Sequence, residues 1–160
     1  MKRSILRAPG GNCRSGLRFP RKGFFVPLDP TAFLADPELI RALSEHATPI
    51  VCDTDRILFH QDDPASGLFI LHEGEATLSM ASNRGAPILS IEAKSGSLLG
   101  LPGLVGNQPY SLTAVGLAGA RVSFLTRAEF IALMQSDPML ALKILQVLAA
   151  EVRSARRALF

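Results

Sequence analysis

A mainly β domain with flanking helices and one long C-terminal helix is predicted by three features of the sequence. Short β-compatible runs follow one another through the middle of the chain, turn residues occupy the joints between them, and the last third switches to an unbroken helical pattern. The runs fall at residues 56–60, 67–71, 75–80, 87–91, 111–115 and 120–125. Between them lie Asp62-Asp63-Pro64, Ser66-Gly67, Glu73-Gly74, Asn83-Arg84-Gly85 and Ser95-Gly96, residues that set up tight turns or tolerate positive φ. Many short strands at near-even spacing imply a sandwich, a barrel or a jelly roll.

The helices are announced by their caps. Asp29-Pro30 and Asp36-Pro37 each place an N-cap side chain before a proline suited to the first helical position. Leu39, Ile40 and Leu43 then form the apolar stripe of a short helix ending near His46, and Thr48 to Val51 opens the β region. Arg127 to Met134 reads as a helix of one to two turns. Asp137-Pro138 is a fresh cap, and Met139 to Leu159 runs on with no breaker. Along it Leu145, Leu148, Val152, Ala155 and Leu159 recur at alternating steps of three and four, the seam that pairs helices. The same stripe could pack on the β body, but Leu140, Ile144 and Val147 offer a separate face for that, so a homodimer through residues 138–159 is expected.

At 160 residues, 48% hydrophobic and 19% charged, the chain has the size and composition of one globular domain. It contains no run of eighteen apolar residues, so no membrane span is expected. Cys13 and Cys52 sit in unlike contexts and read as free thiols in a reducing cytoplasm, with Cys52 a small buried hydrophobe.

The net charge of +3 hides an asymmetry. Lys2, Arg3, Arg7, Arg14, Arg18, Arg21 and Lys22 give the first 25 residues +7 with no acid, which leaves ten bases against fourteen acids, or −4, for the rest. Residues 1–27, rich in Gly, Pro and Arg and without hydrophobic period, are expected to form a basic tail that has no fold of its own. Two readings stand: a basic arm or targeting peptide, or a start assigned upstream of a protein that begins near Val26. Residues 28–160 form the domain.

The order helix, β body, short helix, long helix resembles the cyclic-nucleotide-binding domain family of the catabolite-activator (Crp/Fnr) type over roughly residues 35–160. Gly67, Gly74, Gly85, Gly96 and Gly100 fall where that family's roll turns its corners, and GSLLGLPGL, QPYSLTAV, ARVSFL, Phe130 and Asp137-Pro138 follow in the family's order. The resemblance narrows the fold to an antiparallel double-stranded β-helix, a jelly-roll-like β-roll. It also makes Leu99, Gly100, Leu101, Pro102, Gly103 and Leu104, with Tyr110, Ser111 and Leu112, similar to the family's phosphate-binding cassette.

That cassette presents backbone amides to a cyclic phosphate, an arginine that neutralises it and a glutamate that accepts from the ribose hydroxyl. Here Leu101 stands at the glutamate position and Tyr110 at the arginine position, while Ser111 is kept. Two charge-assisted hydrogen bonds at roughly 1.5–3 kcal/mol each are lost, which is about 100- to 10,000-fold in affinity. The family's base-contacting hydroxyls align with Ala155 and Arg156, with Ser154 turned about 100° away. Arg156 could supply a positive charge from the helix side. Tyr110 is either a pocket-filling ring with its hydroxyl toward Ser111 or a cap on the roll.

No helix-turn-helix follows the long helix, so no direct sequence-specific DNA binding is expected. A cupin-like metal enzyme would need His-x-His, which is missing, and His60, His72, Glu73 and Glu75 do not share one strand face. No Gly-x-Ser-x-Gly elbow supports a hydrolase. The expected protein is a cytoplasmic, homodimeric, non-enzymatic regulatory or scaffold module without metal or cofactor, partnered by a small effector or another protein. The alternative function is binding of a cyclic nucleotide or other small effector through the cassette backbone.

Overall fold

The structure, a computed structural model, describes residues 29–159. The tail of residues 1–27 and Cys13 lie outside the described residues. Asp29 caps a 3-10 turn over Pro30–Phe33, its carboxylate accepting from Thr31 N at 2.9 Å, and Asp36 caps α1 (Pro37–Ser44) by accepting from Leu39 N at 2.8 Å. Eight strands follow in two antiparallel sheets: β1 (Thr48–Val51), β2 (Arg56–Phe59), β3 (Gly67–Glu73), β4 (Ala76–Ala81), β5 (Pro87–Ala93), β6 (Ser97–Leu99), β7 (Thr113–Gly116) and β8 (Arg121–Thr126). Strand order is β1-β8-β3-β6 in one sheet and β2-β7-β4-β5 in the other. The mainly β class with flanking helices is therefore the observed one.

Between β6 and β7 lies the six-residue α2 (Leu101–Gly106), and after β8 come α3 (Arg127–Ser136) and α4 (Pro138–Leu159). α3 begins at a capping box: Thr126 accepts from Glu129 N, and the Glu129 carboxylate accepts from Thr126 N.

Two cores flank the β1-β8-β3-β6 sheet because its strands are apolar on both sides. Along β3, Phe69 and Leu71 face the interior of the roll, whereas Leu68 and Ile70 face a second cluster with Leu39 and Leu43 of α1, Phe130 of α3, and Ile144 and Val147 of α4. β6 repeats the division, with Leu99 in the roll and Leu98 in the helix-side core. The short α2 sits at this junction, and both Leu101 and Leu104 turn toward the helix-side core.

The predicted elements differ from the observed ones mainly at β6, which carries only three residues and is hidden within the Gly-Ser-Leu-Leu-Gly run. Cys52 is a buried free thiol whose pKa burial raises, against the roll's inner cluster. On α4, Ile144 and Val147 are buried while Met139, Leu142, Leu145 and Val152 are exposed, so the helix keeps one apolar face off the body. Leu148, placed by its spacing on the pairing seam, is half-buried against the helix-side core.

Candidate functional site

The candidate site is the end of the roll where β6 runs into α2. Gly100 makes the corner at φ +90°, and a Cβ there would stand 2.7 Å from Tyr110 Cε1, so the aromatic ring takes the space that any side chain would need. Asn107 closes α2 in the left-handed region at φ 55° and sends the chain back along it. The returning loop is then pinned to the β2–β3 turn by two backbone bonds, Tyr110 N to Asp63 O at 2.9 Å and Asp62 N to Tyr110 O at 2.8 Å.

These bonds aim Tyr110 into the roll. Its ring stacks on Phe59 with centroids 3.9 Å apart, Phe59 in turn meets Phe69 at 5.5 Å, and the tyrosine is only 2% exposed. The hydroxyl donates to Gly67 O at 2.6 Å and accepts from Gly67 N at 3.1 Å. Of the two readings of Tyr110, the pocket-filling ring is the observed one, with its hydroxyl on Gly67 rather than on Ser111.

What remains is a cavity of about 40 Å³. Seven of the cassette residues line it: Leu99, Gly100, Pro102 and Gly103 from one side, Tyr110, Ser111 and Leu112 from the other. Leu101 and Leu104 do not; both are buried in the helix-side core. Arg156 also stays away, exposed on α4, as does Ala155. The hydroxyl of Ser154, buried on that helix, accepts from Asp29 N at 3.0 Å and ties α4 to the 3-10 turn.

The helix residue that does face the cavity is Glu151, joined by Phe33, Phe59 and Leu78, none of which was singled out from the sequence. Burial pushes the Glu151 carboxyl up to about 8, and its Oε2 has no hydrogen-bond partner among the described residues. Its position was readable: Glu151 is the sole acid of α4 and continues the Leu140, Ile144, Val147 stripe by a step of four.

Backbone donors are few. Leu104 N is engaged with Gly100 O at 3.3 Å and Pro102 has no N–H, so within residues 101–104 only Leu101 and Gly103 offer a free first-turn amide position. No basic side chain lines the cavity among the described residues. Arg127, on the neighbouring α3, donates to Leu104 O at 2.8 Å.

The residues of the metal reading are dispersed: His72 Nε2 is paired with Ser123 Oγ at 2.8 Å, Glu73 with Arg121 at 3.1 Å and Glu75 with Lys94 at 2.9 Å, while His60 is exposed. Among the described residues, no group of three or more His, Cys, Asp or Glu side chains is placed to hold a metal ion.

The family model for the cyclic nucleotide-binding domain matches residues 50–137, more than half of the chain, from within β1 through the cassette to the end of α3. The chain belongs to the cyclic nucleotide-binding domain family. Solved structures agree in fold. The Thermus thermophilus catabolite activator protein superposes with TM-score 0.68 at 21% identity over 82% of this chain and 62% of that one. A transcriptional regulator from Thermotoga maritima gives TM-score 0.64 at 24% identity, over 76% of this chain and 95% of that one. The N-terminal domain of a Streptomyces coelicolor transcriptional regulator gives TM-score 0.59 at 22% identity, over 81% and 90%. The chain spans less than two-thirds of the Thermus protein's length. No curated protein sequence matches it significantly. At the cassette, Leu101 and Tyr110 stand where the resemblance implied glutamate and arginine, and the helix residue that faces the cavity is Glu151 rather than Ala155 or Arg156, the positions to which the resemblance assigned the base contacts.

Proposed function

We propose that the protein is a non-enzymatic regulatory module in which the nucleotide pocket of the family has been closed by its own Tyr110. The observation that carries this reading is the pairing of that hydroxyl with both backbone groups of Gly67 while the ring lies on Phe59. A cavity of about 40 Å³ is far below the roughly 300–1,000 Å³ of ordinary small-molecule sites. To admit a cyclic nucleotide the ring would have to leave, breaking two buried hydrogen bonds and a stack. The phosphate would then meet the Glu151 carboxyl with no cation among the described lining residues to offset it. Both effects weaken binding in the same direction as the two missing anchors.

Titration calorimetry with cyclic AMP and with cyclic GMP tests the reading. The expected result is no binding tighter than about 100 μM; a low-micromolar dissociation constant would overturn it. The module acts, in this reading, as a homodimer in the cytoplasm through the exposed face of α4, and signals to a protein partner. No single described helix is long and apolar enough to cross a membrane.

A further inference from the structure

We propose that the residual cavity beside Tyr110 is a binding site for a small primary ammonium ion of about the size of methylammonium, held by Glu151 against an aromatic wall. The inference rests on the reading that the pocket excludes cyclic nucleotides and names the ligand class that its altered lining accepts.

Three observations converge on a cation. Glu151 reaches the cavity from α4 with Oε2 buried and, among the described residues, without a hydrogen-bond partner. Phe33, Phe59 and Tyr110 line the same space, and aromatic rings attract a positive charge through their quadrupoles, most strongly where water is excluded. No basic side chain lines it to compete for the carboxylate among the described residues. The volume of about 40 Å³ sets the size: one water needs roughly 10–15 Å³, so the space takes an ammonium with a carbon or so and excludes a branched or quaternary amine. Ser111, exposed and also lining the cavity, marks its mouth.

Charge and proton bookkeeping give the site a signature. Among the described residues that line the cavity, Tyr110 is the only titratable side chain besides Glu151, and its hydroxyl is committed to Gly67; the cations of α4, Lys143, Arg153, Arg156 and Arg157, and Arg56 of β2 are not in the lining. With the carboxyl raised to about 8 by burial, it is protonated at neutral pH when the site is free. An entering ammonium favours the carboxylate, so binding expels one proton. Affinity therefore rises about tenfold per pH unit until pH approaches about 8, then levels off.

The test uses the full chain with ¹³C-labelled glutamate carboxyls, the Glu151 signal being assigned by its loss in Glu151→Gln. Methylammonium chloride should move that signal saturably, more tightly at pH 7 than at pH 6, while tetramethylammonium and sodium chloride leave it in place. Methylammonium should raise the melting temperature of the parent and not that of Glu151→Gln, whose circular dichroism should match the parent. Absence of a saturable change at millimolar methylammonium, an equal response to tetramethylammonium, or equal melting shifts in parent and variant would each overturn the proposal. If variant folding fails, the size selectivity and pH slope of the parent decide it instead. A cyclic AMP titration run alongside separates the two claims: silence toward both ligands overturns this inference alone, whereas cyclic AMP binding overturns the closed-pocket reading beneath it.

Discussion

At the scale of single residues, the site turns on Tyr110, Leu101 and Glu151. That Leu101 and Tyr110 stand where the resemblance implies a glutamate and an arginine was legible because residue identities are read directly. Which way the replacements point was not. Leu101 lies one position beyond the corner made by Gly100, and the φ of +90° there rotates it into the helix-side core, where it is fully buried. Leu101→Glu should therefore place a carboxylate among leucines and destabilise the fold by several kcal/mol, read as a lower urea midpoint at unchanged slope. A variant as stable as the parent would mean that Leu101 faces the cavity.

Tyr110→Phe keeps the stack and strips Gly67 of its side-chain partner, which should cost about 1–3 kcal/mol by the same measurement. Glu151 predicts a pH dependence whose sign follows from its raised folded value. Below its ordinary range near 4.5 the folded and unfolded carboxyls are both protonated, and the group contributes nothing. Above it the unfolded state alone ionises, so stability falls as pH rises and levels off only past about 8. Glu151→Gln should flatten this decline in urea-denaturation free energies collected from pH 5 to about 9, and a parallel profile in the variant would refute the buried carboxyl.

At the scale of elements, the caps were the most legible feature, since Asp29, Asp36 and Asp137 each mark a helix start by side-chain bonding that is local in sequence. β6 was not legible because it holds only three residues and its adjacent Leu98 and Leu99 are buried on opposite faces, so the strand shows no polar-apolar alternation. The long helix was half read. Its buried stripe is the Ile144 and Val147 side, and spacing alone could not tell that Leu148 leans toward that side. The exposed face is better drawn through Leu142, Leu145, Ala149 and Val152, with Leu145 at 56% and Val152 at 48% exposure. Pairing that face with its copy would remove large side chains worth roughly 1.5–3 kcal/mol each from water. Replacing Leu145 and Val152 with aspartate should yield a monomer in sedimentation velocity at micromolar protein, because a two-fold seam sets each charge near its own copy. A parent that is already monomeric, or a folded variant that still sediments as a dimer, would contradict it.

At the scale of the whole molecule, the mainly β class with its flanking helices followed from period and punctuation, which need no knowledge of what contacts what, and the β-roll itself from the family resemblance. The lining of the cavity did not, because it depends on residues far apart in sequence: Tyr110 meets Gly67 across 43 positions, and Glu151 meets the cassette residues only because α4 folds back over the roll. The family's fold is kept, and the proposed function has an aromatic plug beside a carboxylate in place of the cation that the resemblance implied. That central claim has a direct reporter, since Tyr110 is the only tyrosine in the chain. With ¹³C-ring-labelled tyrosine, the full-length protein should give one set of ring signals, shifted by the stacked Phe59 and unmoved by millimolar cyclic AMP or cyclic GMP. A saturable shift of those signals toward solvent-exposed values on adding either nucleotide would contradict the account.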